Sequence, residues 1–227
     1  MASKPSSWSS SLGKKAVMAV SGLVLFGFVL AHMAGNLKMY QGREVYNHYA
    51  EGLRELGAPF FPESGVLWVA RAVLLAAAVA HVVAAWQVTR QSRAARGGRY
   101  ARHQVVQADY AVRTLRWGGV ILLLFVVYHL LHLTFGNPAV HPDFIPGDVF
   151  HNVVVGFSNP LIAVFYLVAN VALGFHLYHG VWSVFQTLGV NRVGMQERWR
   201  AAAALFAFVV TAGNVSFPIA VLTGVVS

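Results

Sequence analysis

Five long apolar stretches, separated by polar segments, dominate the chain. A helix needs about 20 apolar residues to cross a bilayer. Five stretches reach that length, and we number them spans I to V: Leu12–Leu37, Gly65–Thr89, Arg116–Phe135, Pro160–Phe185 and Ala201–Thr223. Only 11% of the residues are charged, against about 25% in soluble proteins. The pattern predicts an all-α integral membrane bundle of five transmembrane helices, which forms a single domain over residues 1–227.

Charges in the connecting segments predict the orientation. Lys and Arg are enriched on the cytoplasmic side of a membrane. In this chain they lie at the N-terminus, up to the start of span I, and in or beside the loops II–III and IV–V: Lys4, Lys14, Lys15, Arg90, Arg93, Arg96, Arg99, Arg102, Arg113, Arg116, Arg192, Arg198 and Arg200. Loop III–IV has only Asp143 and Asp148. We therefore expect the N-terminus inside and the C-terminus outside. Span I is too long for a signal peptide and lacks a cleavage site after it, so we expect it to be retained.

The loop between spans I and II carries a helical pattern. Apolar residues recur every three or four positions over Glu44–Leu56, and Pro59 and Pro62 follow. This spacing is typical of a helix, and the prolines would end it. We expect a short helix at the outer surface.

Four histidines lie inside the first four spans, and their depths form two pairs. Spans I and III run outward, and His32 and His129 lie in their outer parts, 20 and 13 residues from the inner ends. Spans II and IV run inward, and His81 and His176 each lie 16 residues from the outer end. At about 1.5 Å of rise per residue, these positions predict an outer pair, His32 with His129, and an inner pair, His81 with His176.

Intramembrane histidines are costly and are usually functional. Helical bundles hold haem between side chains of facing helices, and neutral imidazole is a good ligand for iron. Two pairs therefore predict two haems, held in the core of spans I–IV. With both axial positions filled, the iron has no open site, which leaves electron transfer as its chemistry. The alternative for each histidine is an ordinary hydrogen-bonded core residue. Because the chain has no cysteine, it can supply no iron–sulfur ligand or thiolate.

Spacing alone does not select every ligand. His132 follows His129 by three residues and His179 follows His176 by three, and residues three apart share a helix face. The remaining histidines, His48, His103, His141 and His151, lie in loops, where we expect them to be solvated or interfacial. The span glycines would either make room for porphyrin or serve ordinary helix packing: Gly22, Gly27, Gly118, Gly119, Gly174 and Gly180.

Several polar or aromatic residues lie where haem propionates would be. Arg71 is near the outer end of span II, and Arg113, Arg116 and Trp117 are near the inner end of span III. Each could contact a propionate. Arg71 could equally extend to the membrane surface.

Five motifs, taken in order, resemble a known family: AHMAGNLKMYQG, NHYAEGLRELG, AHVVAAW, VYHLLHLTFGNP and GFHLYHGVWSVFQTLG. Over essentially its whole length the chain resembles the cytochrome b subunit of succinate:quinone oxidoreductase (complex II), in its five-helix, two-haem prokaryotic form, which includes fumarate reductases. The resemblance implies that His32 and His129 bind one haem b and that His81 and His176 bind the other. His129 follows an apolar and an aromatic residue, and His176 precedes a Gly-x-Trp element, as the family's ligands do. His132 and His179 would then support propionates, quinone or packing.

The resemblance also implies the partners. A flavoprotein (FAD) subunit would oxidise succinate, and an iron–sulfur subunit would bring electrons to the inner face of this chain in a bacterial cytoplasmic membrane. This subunit would anchor both and pass electrons to a quinone, for which menaquinone is expected. If quinone binds near the outer side of the membrane, the candidate residues are Glu51, Glu55 and His132. If it binds near the inner side, they are Ser21 and Trp117. Both glutamates could instead be solvated surface charges.

Two other functions compete with this one. The chain could be the two-haem cytochrome b anchor of a hydrogenase or formate dehydrogenase, which shares the histidine ligation but not the order of the motifs. A haem-free, proton-coupled transporter with histidine relays is the second alternative. It normally has helices broken within the membrane, and spans I–IV lack the prolines expected there.

Overall fold

The computed structural model describes residues 10–94, 107–187, 189 and 194–227, without the side chains of 107–114. Most of these residues are helical, and there is no strand among them. The helices are α1 (Ser11–Asn36), α2 (Arg43–Gly52), α3 (Gly65–Ala94), α4 (Gln107–His129), α5 (Val149–Ser158), α6 (Pro160–Thr187) and α7 (Gln196–Leu222). The all-α prediction is confirmed.

Five of these helices are long and apolar enough to cross a membrane: α1, α3, α4, α6 and α7. They correspond to spans I to V. Most helix ends lie close to the predicted span ends. Helices α4 and α7 begin earlier than predicted, at Gln107 and Gln196, because polar residues before each apolar stretch continue the helix. Large apolar side chains cover the outward faces of the helices, as expected where lipid replaces water. The chain is therefore a multi-pass membrane protein.

The packing centres on α1 and α6. Helix α3 packs along α1, helices α4 and α7 pack along α6, and α1 and α6 contact each other. One cluster of buried side chains, which includes Phe26, Leu177 and Val210, joins α1, α6 and α7. A second cluster, which includes Met33, Phe150 and Phe217, lies toward α2 and α5. The long helices thus form a bundle that is closed at one end by two short helices.

Short helix α2 agrees with the helix predicted over Glu44–Leu56, although it ends at Gly52. Helix α5 is not predicted by the pattern of long apolar stretches, because Val149–Ser158 is too short to span a membrane. Its signals are a capping residue, Asp148, whose carboxylate accepts a hydrogen bond from the His151 amide at 3.1 Å, and buried Phe150, Val153 and Phe157 at helical spacing.

Polar contacts hold the short helices α2 and α5 together. Asp148 forms an ion pair with Arg43 and accepts a hydrogen bond from Asn47 at 2.8 Å. Burial alone would raise the pKa of Asp148, but these hydrogen bonds, the one from the His151 amide and the charge of Arg43 hold it below its usual value. The amide of Phe150 donates to Asn47 at 2.9 Å. The contacts fix α2 and α5 over one end of the bundle.

Candidate functional site

The structure brings the outer pair together. His32 on α1 and His129 on α4 have ring centroids 5.9 Å apart, with ring planes at 83°. Phe28 stacks on His32 at 5.3 Å, and Phe125 contacts His129 at 5.8 Å. Both imidazoles are thus held between an aromatic neighbour on their own helix and the histidine of the opposite helix.

The inner pair is also formed. His81 on α3 and His176 on α6 have ring centroids 6.3 Å apart, with planes at 66°. Nδ1 of His81 lies 3.0 Å from the carbonyl oxygen of Met18. A carbonyl can only accept a hydrogen bond, so Nδ1 carries the proton and Nε2 is the nitrogen free to bind a metal.

Each pair joins two helices that do not pack closely. In the described part of the chain, neither α1 with α4 nor α3 with α6 is among the three helix pairs that pack most extensively, which are α6–α7, α1–α3 and α4–α6. The histidines therefore meet across the middle of the bundle, between backbones that stand apart. A flat group held between the two rings of a pair would enter this space without separating any closely packed helices.

Glycines lie against both inner histidines. A Cβ atom on Gly22 of α1 would be 3.3 Å from Cε1 of His81, and one on Gly119 of α4 would be 3.8 Å from Cε1 of His176. By contrast, Gly174 faces Thr211 and Gly180 faces Phe26, which is ordinary helix packing. Packing therefore accounts for Gly174 and Gly180, while a larger residue at Gly22 would press against the ring of His81.

His132 occupies a different environment from His129. A π-helical turn over Leu130–Thr134 follows α4, and His132 in this turn is completely buried. A Cβ atom on Gly156 would be only 3.0 Å from Nε2 of His132, so this nitrogen is packed against α5. Geometry therefore favours His129 as the ligand opposite His32. On α6, geometry likewise favours His176 over His179. His176 faces His81, whereas half-buried His179 contacts Tyr178.

The expectation for His141 was wrong. This loop histidine is 3% exposed, because its Nδ1–H donates to the backbone carbonyl of His132 at 2.9 Å and its ring stacks on that of His132 at 4.6 Å. The π turn places this carbonyl within reach of the loop. Nε2 of each histidine is buried without a hydrogen-bond partner among the described residues. His48 is exposed and His151 half-buried, and His103 lies outside the described residues.

One tyrosine that the sequence analysis did not select connects the outer pair with His132. The hydroxyl of Tyr166 on α6 lies 3.3 Å from Nδ1 of His129 and 3.0 Å from Nδ1 of His132. Tyr166 is 4% exposed. Tyr166 lies six residues after the start of span IV, within an apolar stretch. A tyrosine in such a position is a usable sequence signal, because a buried phenol normally has a hydrogen-bond partner.

The expected propionate contacts are only partly described. Arg71 is exposed and lies over the ring of Trp68, 4.8 Å from its centroid. Trp117 is exposed on the surface of α4, and Arg116 is half-buried. The side chain of Arg113 and the loop residues Arg96, Arg99, Arg102 and Arg192 lie outside the described residues, as does Lys4.

The expected quinone residues are not brought into one place. Glu51 and Glu55 are exposed, and Glu51 lines an open cavity of about 400 Å³ with Glu44, His48 and Arg54. Ser21 is buried beside the inner pair instead. Its hydroxyl donates to the Val17 carbonyl at 2.7 Å and lies 3.3 Å from Nδ1 of His81. Its position therefore suits support of His81 better than contact with a mobile lipid.

Comparisons with protein-family models, with curated proteins and with solved structures found no match for the chain.

Proposed function

We propose that this protein is the membrane-anchor and electron-transfer subunit of a succinate:quinone oxidoreductase, in which it binds two b haems. The observation that carries the proposal is the pair of opposed histidine rings at each of two depths, joined across helices that do not pack closely. The order of the five motifs in the sequence supplies the assignment to this class of complex.

The distances between the rings fit haem. Two imidazoles that bind one iron from opposite sides, through bonds of about 2 Å, place their ring centroids roughly 6 Å apart. The two observed separations are 5.9 and 6.3 Å. A bare metal ion fits less well, because the described residues include no group of three or more histidine or carboxylate side chains that could hold one. Haem iron needs only two protein ligands.

The protein's own groups would set the properties of the two sites. The carbonyl of Met18 accepts a hydrogen bond from Nδ1 of His81 and so fixes the tautomer in which Nε2 is unprotonated and able to bind iron. Gly22 leaves the space in which the ring of His81 lies. Around the outer pair, Phe28 stacks on His32 and Phe125 contacts His129, and these aromatic rings would help to orient the two imidazoles. His32, His81, His129 and His176 would hold the two haems, which when bound would supply one-electron transfer across the bilayer.

The remaining parts of the proposal concern partners. A flavoprotein with FAD would oxidise succinate, and an iron–sulfur subunit would deliver its electrons to the end of the bundle opposite α2 and α5. That end carries cationic side chains stacked on tryptophans, Arg90 over Trp86 and Arg200 over Trp182. Such a surface suits docking of a partner with an acidic face. Menaquinone, or another lipid quinone, would be the electron acceptor.

The experiment is purification of the complex from detergent-solubilised membranes by a tag on this chain. We expect a flavin-containing subunit and an iron–sulfur subunit to copurify, and succinate to reduce part of the haem b absorbance while dithionite reduces all of it. Hydrogen or formate as the effective reductant, with a different partner set, would assign the chain to another quinone-linked complex. A preparation without haem would favour the transporter alternative.

A further inference from the structure

One histidine of each pair has a polar contact at Nδ1, and the two contacts differ. At the inner pair, Nδ1 of His81 donates to a backbone carbonyl, that of Met18. At the outer pair, Nδ1 of His129 faces a side chain, the hydroxyl of Tyr166. The same hydroxyl also contacts Nδ1 of His132, at the shorter distance of 3.0 Å. Nδ1 of His81 thus has a backbone acceptor, with the Ser21 hydroxyl 3.3 Å away, whereas the contact of Nδ1 of His129 is to a side chain that a point mutation can remove.

Tyr166 is fixed in this position by aromatic packing. Phe125 of α4 and Phe157 of α5 contact its ring edge-on, with centroids 5.1 and 4.9 Å away. Its backbone carbonyl accepts a hydrogen bond from buried Asn170 at 2.9 Å. With the ring held on two sides, the hydroxyl has little freedom to leave the two histidines.

Hydrogen-bond chemistry gives the three groups one consistent pattern. A tyrosine hydroxyl can donate one hydrogen bond and accept others. If His129 binds iron through Nε2, its Nδ1 carries the proton and donates to the oxygen of Tyr166. The hydroxyl proton is then free for Nδ1 of His132, which is closer. Both contacts are satisfied at once, and neither histidine competes with the other for the same role.

We infer that Tyr166 is a positioning residue for the outer pair: its hydroxyl orients His129, selects the tautomer with Nε2 free, and strengthens His129 as an iron ligand. This inference rests on the proposed function. Partners of this kind raise the basicity of a ligating imidazole, and a more basic imidazole favours the oxidised iron. Removal of the hydroxyl should therefore raise the midpoint potential of the haem held by His129 and leave the other haem unchanged.

The size of the effect follows from an ordinary hydrogen bond. A bond worth about 1 kcal/mol changes an equilibrium about fivefold. For a one-electron couple, at 59 mV per tenfold, a fivefold change corresponds to an upward shift of about 40 mV. Two haems in one protein titrate as two components, so the component held by the inner pair serves as an internal reference.

The test is an optical redox titration of the purified complex carrying Tyr166→Phe, with haem b per chain measured in the same samples. Tyr128→Phe is the matched control. The ring of Tyr128 stacks on His132 at 5.5 Å and contacts that of Tyr166, yet among the described residues its hydroxyl has no hydrogen bond to either histidine. We expect Tyr166→Phe, and not Tyr128→Phe, to raise the midpoint potential of one component by about 40 mV, which is the fivefold change converted at 59 mV per tenfold. Release of one haem, while the other component keeps its potential, would support the inference equally.

Three results would overturn the inference while the proposed function stands: two haems at unchanged potentials in Tyr166→Phe, equal shifts of both components, or the same shift in Tyr128→Phe. A parent complex without haem would instead overturn the proposed function and this inference with it. The haem content of the parent therefore separates the two failures.

Discussion

The spacing of His129 and His132 in the sequence does not show which of them binds haem. Replacing each histidine separately distinguishes the two. The rings differ in surroundings: His129 faces His32 across the bundle, whereas His132 is packed between Tyr128, His141 and the backbone of Gly156. We expect His129→Ala to lower the haem b content from two to one per chain, because one iron loses an axial ligand. His132→Ala should retain both haems.

The expected cost of His132→Ala is in stability instead. The variant removes a completely buried ring and its hydrogen bond to Tyr166. A cavity of this size and a lost buried hydrogen bond cost roughly 3 kcal/mol together. For a chain of this length each kcal/mol lowers the thermal midpoint by about 2–4 °C, so we expect a decrease of about 6–12 °C. His129 is only partly buried in the bundle. In haem-depleted protein, His129→Ala should therefore lower the thermal midpoint less than His132→Ala does.

The assay is pyridine haemochrome quantification per chain, combined with thermal unfolding followed by the fluorescence of detergent-solubilised protein. His176→Ala and His179→Ala provide the same comparison at the inner pair, where we expect only His176→Ala to remove a haem. If His132→Ala lost one haem and His129→Ala kept both, the assignment of ligands from ring geometry would be refuted.

Three further predictions concern other parts of the molecule. Gly22→Leu should displace His81 and reduce the haem content toward one per chain. Gly27→Leu is the control, because a Cβ atom at that position meets nothing within 4 Å, and it should keep two haems per chain. Equal haem contents in the two variants would contradict this prediction. Because the pKa of Asp148 lies below its usual value of 3.8, its ionised form stabilises the fold above that pH, and Asp148→Asn should lower the stability at pH 7 by about 1 kcal/mol. That difference should disappear as the pH falls below the lowered pKa, as measured by unfolding at stepwise pH, and a constant difference would exclude the carboxylate as its source. Glu51→Gln and Glu55→Gln should each retain at least about a fifth of the succinate–quinone activity, since both carboxylates are exposed and an exposed charge contributes about 1 kcal/mol or less, which is about fivefold. A loss above tenfold would place one of them in the quinone site.

The histidine pairing could be predicted from the sequence because the rise of a helix is regular. Counting residues from the ends of four spans gave depths accurate enough to place His32 with His129 and His81 with His176, and the structure has these rings adjacent. The choice of His129 over His132 could not be made that way, since both lie on one face of a regular helix. The π turn after His129 and the close approach of Gly156 distinguish them, and both depend on tertiary contacts.

Tyr166 and His141 illustrate what the sequence pattern leaves open. Tyr166 is one aromatic residue among many apolar ones, and its contact with two imidazoles depends on how α6 is rotated toward α4. His141 lies in a segment without helical periodicity, which favoured a solvated position. Its burial depends on a carbonyl placed within reach by the π turn and on the cover supplied by α5, a helix too short for the length criterion that identified the five spans.

The most direct test of the account is the reduced-minus-oxidised spectrum of the purified parent complex, with pyridine haemochrome quantification per chain. The account predicts haem b at two per chain, reduced in part by succinate and completely by dithionite. A complex that contains no haem, or one haem that survives the loss of either histidine pair, would contradict it.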